Sequence, residues 1–451
     1  MSTRPSEYLT LRGHFAGMAS SDILVRRPLA VPAAANFVAA AVIFGLFVAA
    51  ALFSAERKDV TAGFDEVAHV SYVAHIQRAG NVWPALLRMR LLDPRTFQFT
   101  DRANYLNHPA PFYALLAALG PTLEGHPGAL LAHRLIDVGI AALGLAALLA
   151  LGLAARWPRH EFYAFAVPLA CIPVLAPLAG AVNNDDLAFT GGAVVLLGLW
   201  QLIATARGSW FALALIGVVI AAWAKLTGLL LTGGFLGAVL VYLLWRKRLP
   251  YIWLGAAALV FIVAAAPYLI FIWQYGSPTP ETPAQLALLA NGAREAGWAD
   301  LPRQSFPAYL GYFLVGFVAD WMPTLVARNP LQYAMLAIPV GALACAGVGI
   351  TLSLRRLWRR DEAALDVVVL CGATAIAATF AIHVVYSYGR HLATGWLMDA
   401  YPRYYLPLAA IVPLAVLSLV ADIVNPRLRS ALLGFLIGGP ILFRVFGAPF
   451  G

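Results

Sequence analysis

Long apolar stretches separated by short polar ones set the rhythm of this chain from residue 33 onward. They fall at 33–54, 130–154, 161–182, 186–205, 209–222, 227–245, 250–274, 332–354, 364–386, 404–421 and 431–446. Most are long enough to cross the hydrocarbon core of a bilayer as a helix rising 1.5 Å per residue. The pattern predicts an all-α polytopic membrane protein with about eleven transmembrane helices in one domain over 33–451. A soluble domain so patterned would have no polar face for water, and a membrane barrel would read as short alternating segments. The first run is too long for the core of a cleaved signal peptide, so it is read as a retained span. Residues 1–32, with Arg4, Arg12, Arg26 and Arg27, form the expected cytoplasmic amino-terminal segment.

Charge is scarce, at 12% of residues against 61% hydrophobic, and its placement carries information. The clusters "ARWPRH", "WRKR", "RRLWRRDE" and "NPRLR" all fall on one side if the first span leads outward, as the positive-inside rule requires. The net charge of +9 is thus explained by topology, and nucleic acid is not an expected partner. The same orientation puts three long segments, 55–129, 275–331 and 387–402, on the outer side. Their apolar pieces are too short or interrupted to span and read as interfacial helices. Cys171, Cys345 and Cys371 lie in apolar runs without paired spacing, which implies neither a disulfide framework nor a zinc site.

Candidate chemistry gathers at the outer ends of the spans. In "GFDEVAHVSYVAHIQ" (63–77), helical spacing puts Asp65, His69 and Tyr72 on one stripe facing a cavity and Val67, Val70 and Ala74 on the opposite side, as for a helix lying on the membrane. A half-buried carboxylate beside a second one, Glu66, can act as a base toward a hydroxyl. The plainer alternative is a solvated acidic pair at a helix start. In "AVNNDDLAF", Asp185 and Asp186 mark the junction of two spans, where Asn183 and Asn184 can satisfy them; carboxylates at that depth are costly unless they face a polar site. A helix cap is the alternative there.

Lys225, Arg390 and Arg403 are cations at outer span ends, at the level of a lipid phosphate, where snorkelling interface residues are also common. Arg134 and Asp137, three residues apart inside a span, are expected to neutralise each other. No HExxH or paired-histidine spacing supports a metal, so none is predicted; a divalent ion held by Asp65, His69 and His108 is the lesser alternative.

The order of these features resembles the GT-C superfamily of membrane glycosyltransferases: one span, an outer "DE" pair, an "HPAPFY" segment, "NNDD" at a span junction, and a late "PRYYLP". It is most similar to the branch holding the protein O-mannosyltransferases and the aminoarabinose transferases of lipid A. The resemblance implies transfer of a sugar from a polyprenyl-phosphate carrier to an acceptor hydroxyl on the outer face of a bacterial cytoplasmic membrane, with inversion. By the same resemblance Asp65, with Glu66 beside it, is the catalytic acidic position. Asp185 or Asp186 is the second acidic site, and Arg403 meets the carrier phosphate. From their own positions Asn184 is expected to join that acidic site, Lys225, Arg390 and His69 to help hold the phosphate, and Tyr72, His108 and Tyr404 to shape the sugar subsite.

Departures from the family are Ala68 and His69 after the acidic pair, and Ala110 where a second proline is usual. No "WWDYG" motif is present. No cofactor is implied. The expected partners are the lipid-linked sugar, membrane lipid, and a lipid, polysaccharide or protein acceptor. A transporter or lipid flippase, and a glycan ligase using a pyrophosphate-linked carrier, are the competing readings.

Overall fold

The computed structural model describes residues 34–319, 330–397 and 399–447. The predicted amino-terminal segment 1–32, residues 320–329 of the second long outer segment and Met398 of the third lie outside the described residues. Helix α1 (Ala34–Arg57) leads into a folded segment holding α2 (Glu66–Ala79), a two-stranded antiparallel hairpin of β1 (Arg90–Leu92) and β2 (Phe99–Ala103), and α3 (Pro111–Leu119). The membrane bundle continues with α4 (Leu130–Ala154), α5 (Arg159–Ala170), α6 (Leu175–Ala179), α7 (Asp185–Thr205), α8 (Gly208–Ala224), α9 (Leu226–Trp245) and α10 (Tyr251–Tyr275). Then come α11 (Pro283–Glu295), α12 (Phe306–Ala319), α13 (Pro330–Met335), α14 (Ala337–Arg359), α15 (Ala364–Thr394), α16 (Ile411–Asp422) and α17 (Pro426–Leu442).

Among the described residues eight helices are long and apolar enough to cross a membrane, or nine with the bent pair Pro402–Leu408 and Ile411–Asp422. Three of the eleven expected runs differ from single straight spans, and the physical causes are local. The run 161–182 is broken between α5 and α6, where Pro173 has no N–H to continue a helix. The run 404–421 is bent, because helix Pro402–Leu408, with Pro407 inside it, meets Ile411–Asp422 at 61°. The run 209–222 corresponds to α8, only 17 residues long. Lys225 alone separates α8 from α9, in an extended conformation (φ −161°), so the two helices form a hairpin with the lysine at its tip. Outward-facing side chains such as Leu46, Phe261, Ile262 and Val348 are exposed and apolar, as a lipid-facing surface requires.

Small residues let the inner helices touch. A Cβ on Gly191 of α7 would fall 2.4 Å from the Ala221 nitrogen of α8, and one on Gly192 would fall 2.1 Å from the Pro407 carbonyl oxygen. Close approach through glycine is the usual device where no hydrophobic effect drives helices together. Here it seats the 402–408 turn on α7 and so brings Arg403 beside Asp185.

The 58–129 segment has a core of its own, built from Tyr72, Leu86, Met89, Phe97, Phe112, Tyr113 and Leu116. Helix α2 is therefore not an amphipathic helix resting on lipid. Val70 and Ala74 are buried, and so are His69 and Tyr72 on the opposite side. Hydrogen bonds along its length tie it in: the Ser71 hydroxyl accepts from Leu92 N at 2.8 Å, Asn104 Nδ2 donates to the Ala68 carbonyl at 2.8 Å, and Leu123 N donates to Gln77 Oε1 at 3.0 Å. The hairpin was not foreseen, since the short strands carry no alternation long enough to read.

Candidate functional site

One end of the bundle collects the end of α1, the starts of α4, α7 and α9, the ends of α8, α10 and α15, and the 402–408 turn. A cavity of about 420 Å³ opens there, lined by Asp65, Tyr105, His108, Lys225, Arg390, Asp399, Tyr401, Arg403 and Tyr404. Its wall continues down α15 through Tyr386, His383, Ile382 and Thr379, one face of that helix, and across to Leu226 and Leu230 of α9. Thr379 lies about midway along the 31-residue α15, so the cavity wall runs about half the length of that helix.

Asp65 caps α2 with a left-handed backbone (φ 57°), and its side chain is 43% exposed at the cavity. Tyr105 Oη donates to Asp65 Oδ1 at 3.0 Å, and Arg403 Nη2 reaches Oδ2 at 3.5 Å. Burial, then the adjacent Asp65, raises the Tyr105 phenol well above its ordinary range, so it stays a donor. Arg403 also faces Asp185 Oδ2, at 3.4 Å, and Lys225 Nζ meets Asp185 Oδ1 at 2.8 Å. The lysine lies 3.4 Å from the centre of the Tyr404 ring, a cation over an aromatic face. Arg390 is held by Glu281 at 2.9 Å and by Asp399 at 3.4 Å. Burial lifts the Asp399 carboxyl above its usual range, although Arg390 opposes this. Three cations and two carboxylates, half-exposed Asp65 and buried Asp399, thus share one cavity whose wall also carries Leu226, Leu230 and Ile382, an arrangement in which the cations can meet an anionic group.

The predicted residues divide. Asp65, Lys225, Arg390, Arg403, His108 and Tyr404 reach the cavity, and Asp185 stands directly behind two of the cations. Glu66 does not: it is fully buried, accepting from Arg134 Nε at 2.7 Å, Arg134 Nη2 at 2.8 Å, Lys58 Nζ at 3.1 Å and Val182 N at 3.0 Å. This replaces the expected Arg134–Asp137 pair, because Asp137 accepts instead from Asn183 N at 2.9 Å.

His69 sits behind the wall, 2.9 Å from Tyr113 Oη and 3.3 Å from Asn183 Nδ2. Burial, with Lys225 and Arg403 near, holds it well below the ordinary imidazole range, so it is neutral and offers no charge to a phosphate. Tyr72 stacks on Tyr113 at 4.0 Å and contacts the His108 carbonyl from behind, so it supports the wall without forming it. Asn184 donates to the Ala224 carbonyl at 2.7 Å, holding the α8–α9 tip, and Asp186 is buried away from the cavity. Tyr105, Asp399, Glu281 and His383 escaped the sequence reading; only the proximity of tyrosine and acid to other motifs hinted at them. No cluster of three metal-ligating side chains occurs among the described residues.

No family model matches the chain, and no curated protein matches it. Among solved structures it is similar to ArnT from Cupriavidus metallidurans in the apo state, with 14% identity and a TM-score of 0.39 over 91% of this chain and 79% of that one. It is also similar to the same protein bound to undecaprenyl phosphate, with 16% identity and a TM-score of 0.36 over 88% of this chain and 84% of that one.

Proposed function

We propose that this protein is a membrane glycosyltransferase that moves a sugar from a polyprenyl-phosphate carrier to an acceptor hydroxyl, with Asp65 as general base. The observation that carries the reading is the meeting of Asp65 and Arg403, 338 residues apart, in one cavity with Lys225 and Arg390. In this mechanism the carrier phosphate lies against Arg403, Lys225 and Arg390, with its isoprenoid tail along Leu226, Leu230 and Ile382. Asp65 takes the proton of the acceptor hydroxyl as its oxygen attacks the anomeric carbon from the face opposite the phosphate. The bond from that carbon to the phosphate oxygen breaks, the electron pair leaves with the phosphate, and the cations meet the charge that develops. Attack from the opposite face inverts the anomeric centre. The acceptor is a lipid, polysaccharide or protein hydroxyl, and no cofactor is required.

The extracytoplasmic location is supported by charge. The end of the bundle away from the cavity carries Arg156, Arg159, Arg207, Arg246, Lys247, Arg248, Arg355, Arg359, Arg360 and Arg427, at the ends of α4, α7, α9 and α14 and the starts of α5 and α17. Basic residues at helix ends mark the cytoplasmic side, which leaves the cavity facing outward in a bacterial cytoplasmic membrane. The test is Asp65→Asn, purified and reconstituted with a labelled polyprenyl-phosphate sugar. Transfer should vanish, with a drop of a hundredfold or more on the order expected for a general base, while the protein stays folded and inserted. Full transfer by that variant refutes the role of Asp65.

A further inference from the structure

One buried amide joins the two carboxylates that share Arg403. Gly63, Phe64 and Asp65 have consecutive positive φ angles of 85°, 62° and 57°. Glycine adopts such a backbone freely, but Phe64 carries a Cβ that is crowded there. A left-handed run of this kind persists only when its surroundings hold it. On one side the hold is Glu66, locked by Arg134 and Lys58. On the other it is Asn183, 1% exposed and 119 residues away from Phe64. Its Nδ2 donates to the Phe64 carbonyl at 2.9 Å and lies 3.3 Å from His69 Nε2. Its Oδ1 accepts from Asp185 N at 2.9 Å.

We propose that Asn183 is a positioning residue for the transfer reaction: it clamps the left-handed turn that aims Asp65 into the cavity and, with the same side chain, fixes the backbone that presents Asp185. The two carboxylates thereby keep their spacing around Arg403. The proposal rests on Asp65 being the base, as above. An amide is the required group, because one planar end must donate to a carbonyl while the other accepts from an N–H; aspartate lacks the donor and leucine lacks both. Asn183 does not line the cavity, so it acts through Asp65 and Asp185 and not on substrate.

The experiment compares Asn183→Ala and the milder Asn183→Ser, which keeps a donor, with the parent protein in proteoliposomes supplied with a labelled polyprenyl-phosphate sugar. In Asn183→Ala, kcat per folded enzyme should fall about 10- to 100-fold, as for a reacting group misplaced by an ångström or so, with a smaller rise in donor KM because Asp185 also steadies Arg403 and Lys225. Asn183→Ser should lie between, and it alone supplies the answer if the alanine variant does not fold. A second readout needs no activity: alkylation of the thiol in Asp65→Cys, followed at that peptide by mass spectrometry, should speed up when Asn183→Ala is added. Unchanged alkylation overturns the clamp whatever kcat does. Faster alkylation with unchanged kcat keeps the clamp and counts against Asp65 as the base.

Discussion

Replacing Glu66 by glutamine tests whether the second member of the acidic pair works in chemistry or in construction. Its carboxylate is fully buried, Arg134 is 4% exposed and Lys58 9% exposed, and the arginine grips it through two bonds of 2.7 and 2.8 Å. Glutamine keeps the shape and one acceptor, but turns an amide donor toward two cations and removes their counter-charge. Breaking a buried ion pair by neutralising one partner costs roughly 3–5 kcal/mol, since the other charge is left desolvated. Arg134 also donates to the Ala55 and Lys58 carbonyls at 2.9 and 2.8 Å, which offsets part of that loss.

The lower end, about 3 kcal/mol, is therefore expected, roughly a hundredfold in the folding equilibrium. Denaturant unfolding in micelles, followed by tryptophan fluorescence, measures it. Adding Arg134→Gln to Glu66→Gln should cost less than the sum of the two single changes, because the second change removes the stranded charge. If Glu66→Gln unfolds within about 1 kcal/mol of the parent yet loses transfer, the scaffold role is wrong and Glu66 belongs with the reacting groups.

Further outcomes follow from the same geometry. If Lys225 holds the carrier phosphate as proposed, Lys225→Met removes a charge-assisted contact commonly worth about 1.5–3 kcal/mol, so donor KM should rise roughly ten- to a hundredfold; an unchanged KM takes Lys225 out of the phosphate site. Buried His69 and half-buried His108 are held below the ordinary imidazole range, chiefly by desolvation. The unfolded chain then binds more protons, so stability is fully present above pH of about 6.5 and is lost as pH falls below it. His69→Gln should flatten that acid-side loss in unfolding measured between neutral and mildly acidic pH. In the proposed mechanism the cavity cations Lys225, Arg390 and Arg403 meet the leaving phosphate without a metal, so transfer should run at full rate in excess EDTA; a loss restored by added magnesium or manganese would put a metal into the mechanism.

Hydrophobic length and charge bias were enough to determine a polytopic helical protein and to mark the ends of the spans where its unusual charges collect, because both signals are local and the bilayer imposes them residue by residue. For the same reason Asp65, Lys225, Arg390 and Arg403 were legible: each is an ionisable group where apolar sequence meets loop. Which of them meet was not legible. Whether Glu66 faces a cavity or an arginine depends on a one-residue step from the left-handed Asp65 into α2, and that step is set by Arg134 and Asn183 from distant parts of the chain. The helical stripe of Asp65, His69 and Tyr72 failed because the 58–129 segment makes its own core and buries α2 on both sides. A break at Pro173 and a bend at 409–410 likewise turned two apparent spans into divided or bent ones. Pairing of charges across more than a hundred positions is a property of packing, and only the folded chain decides it.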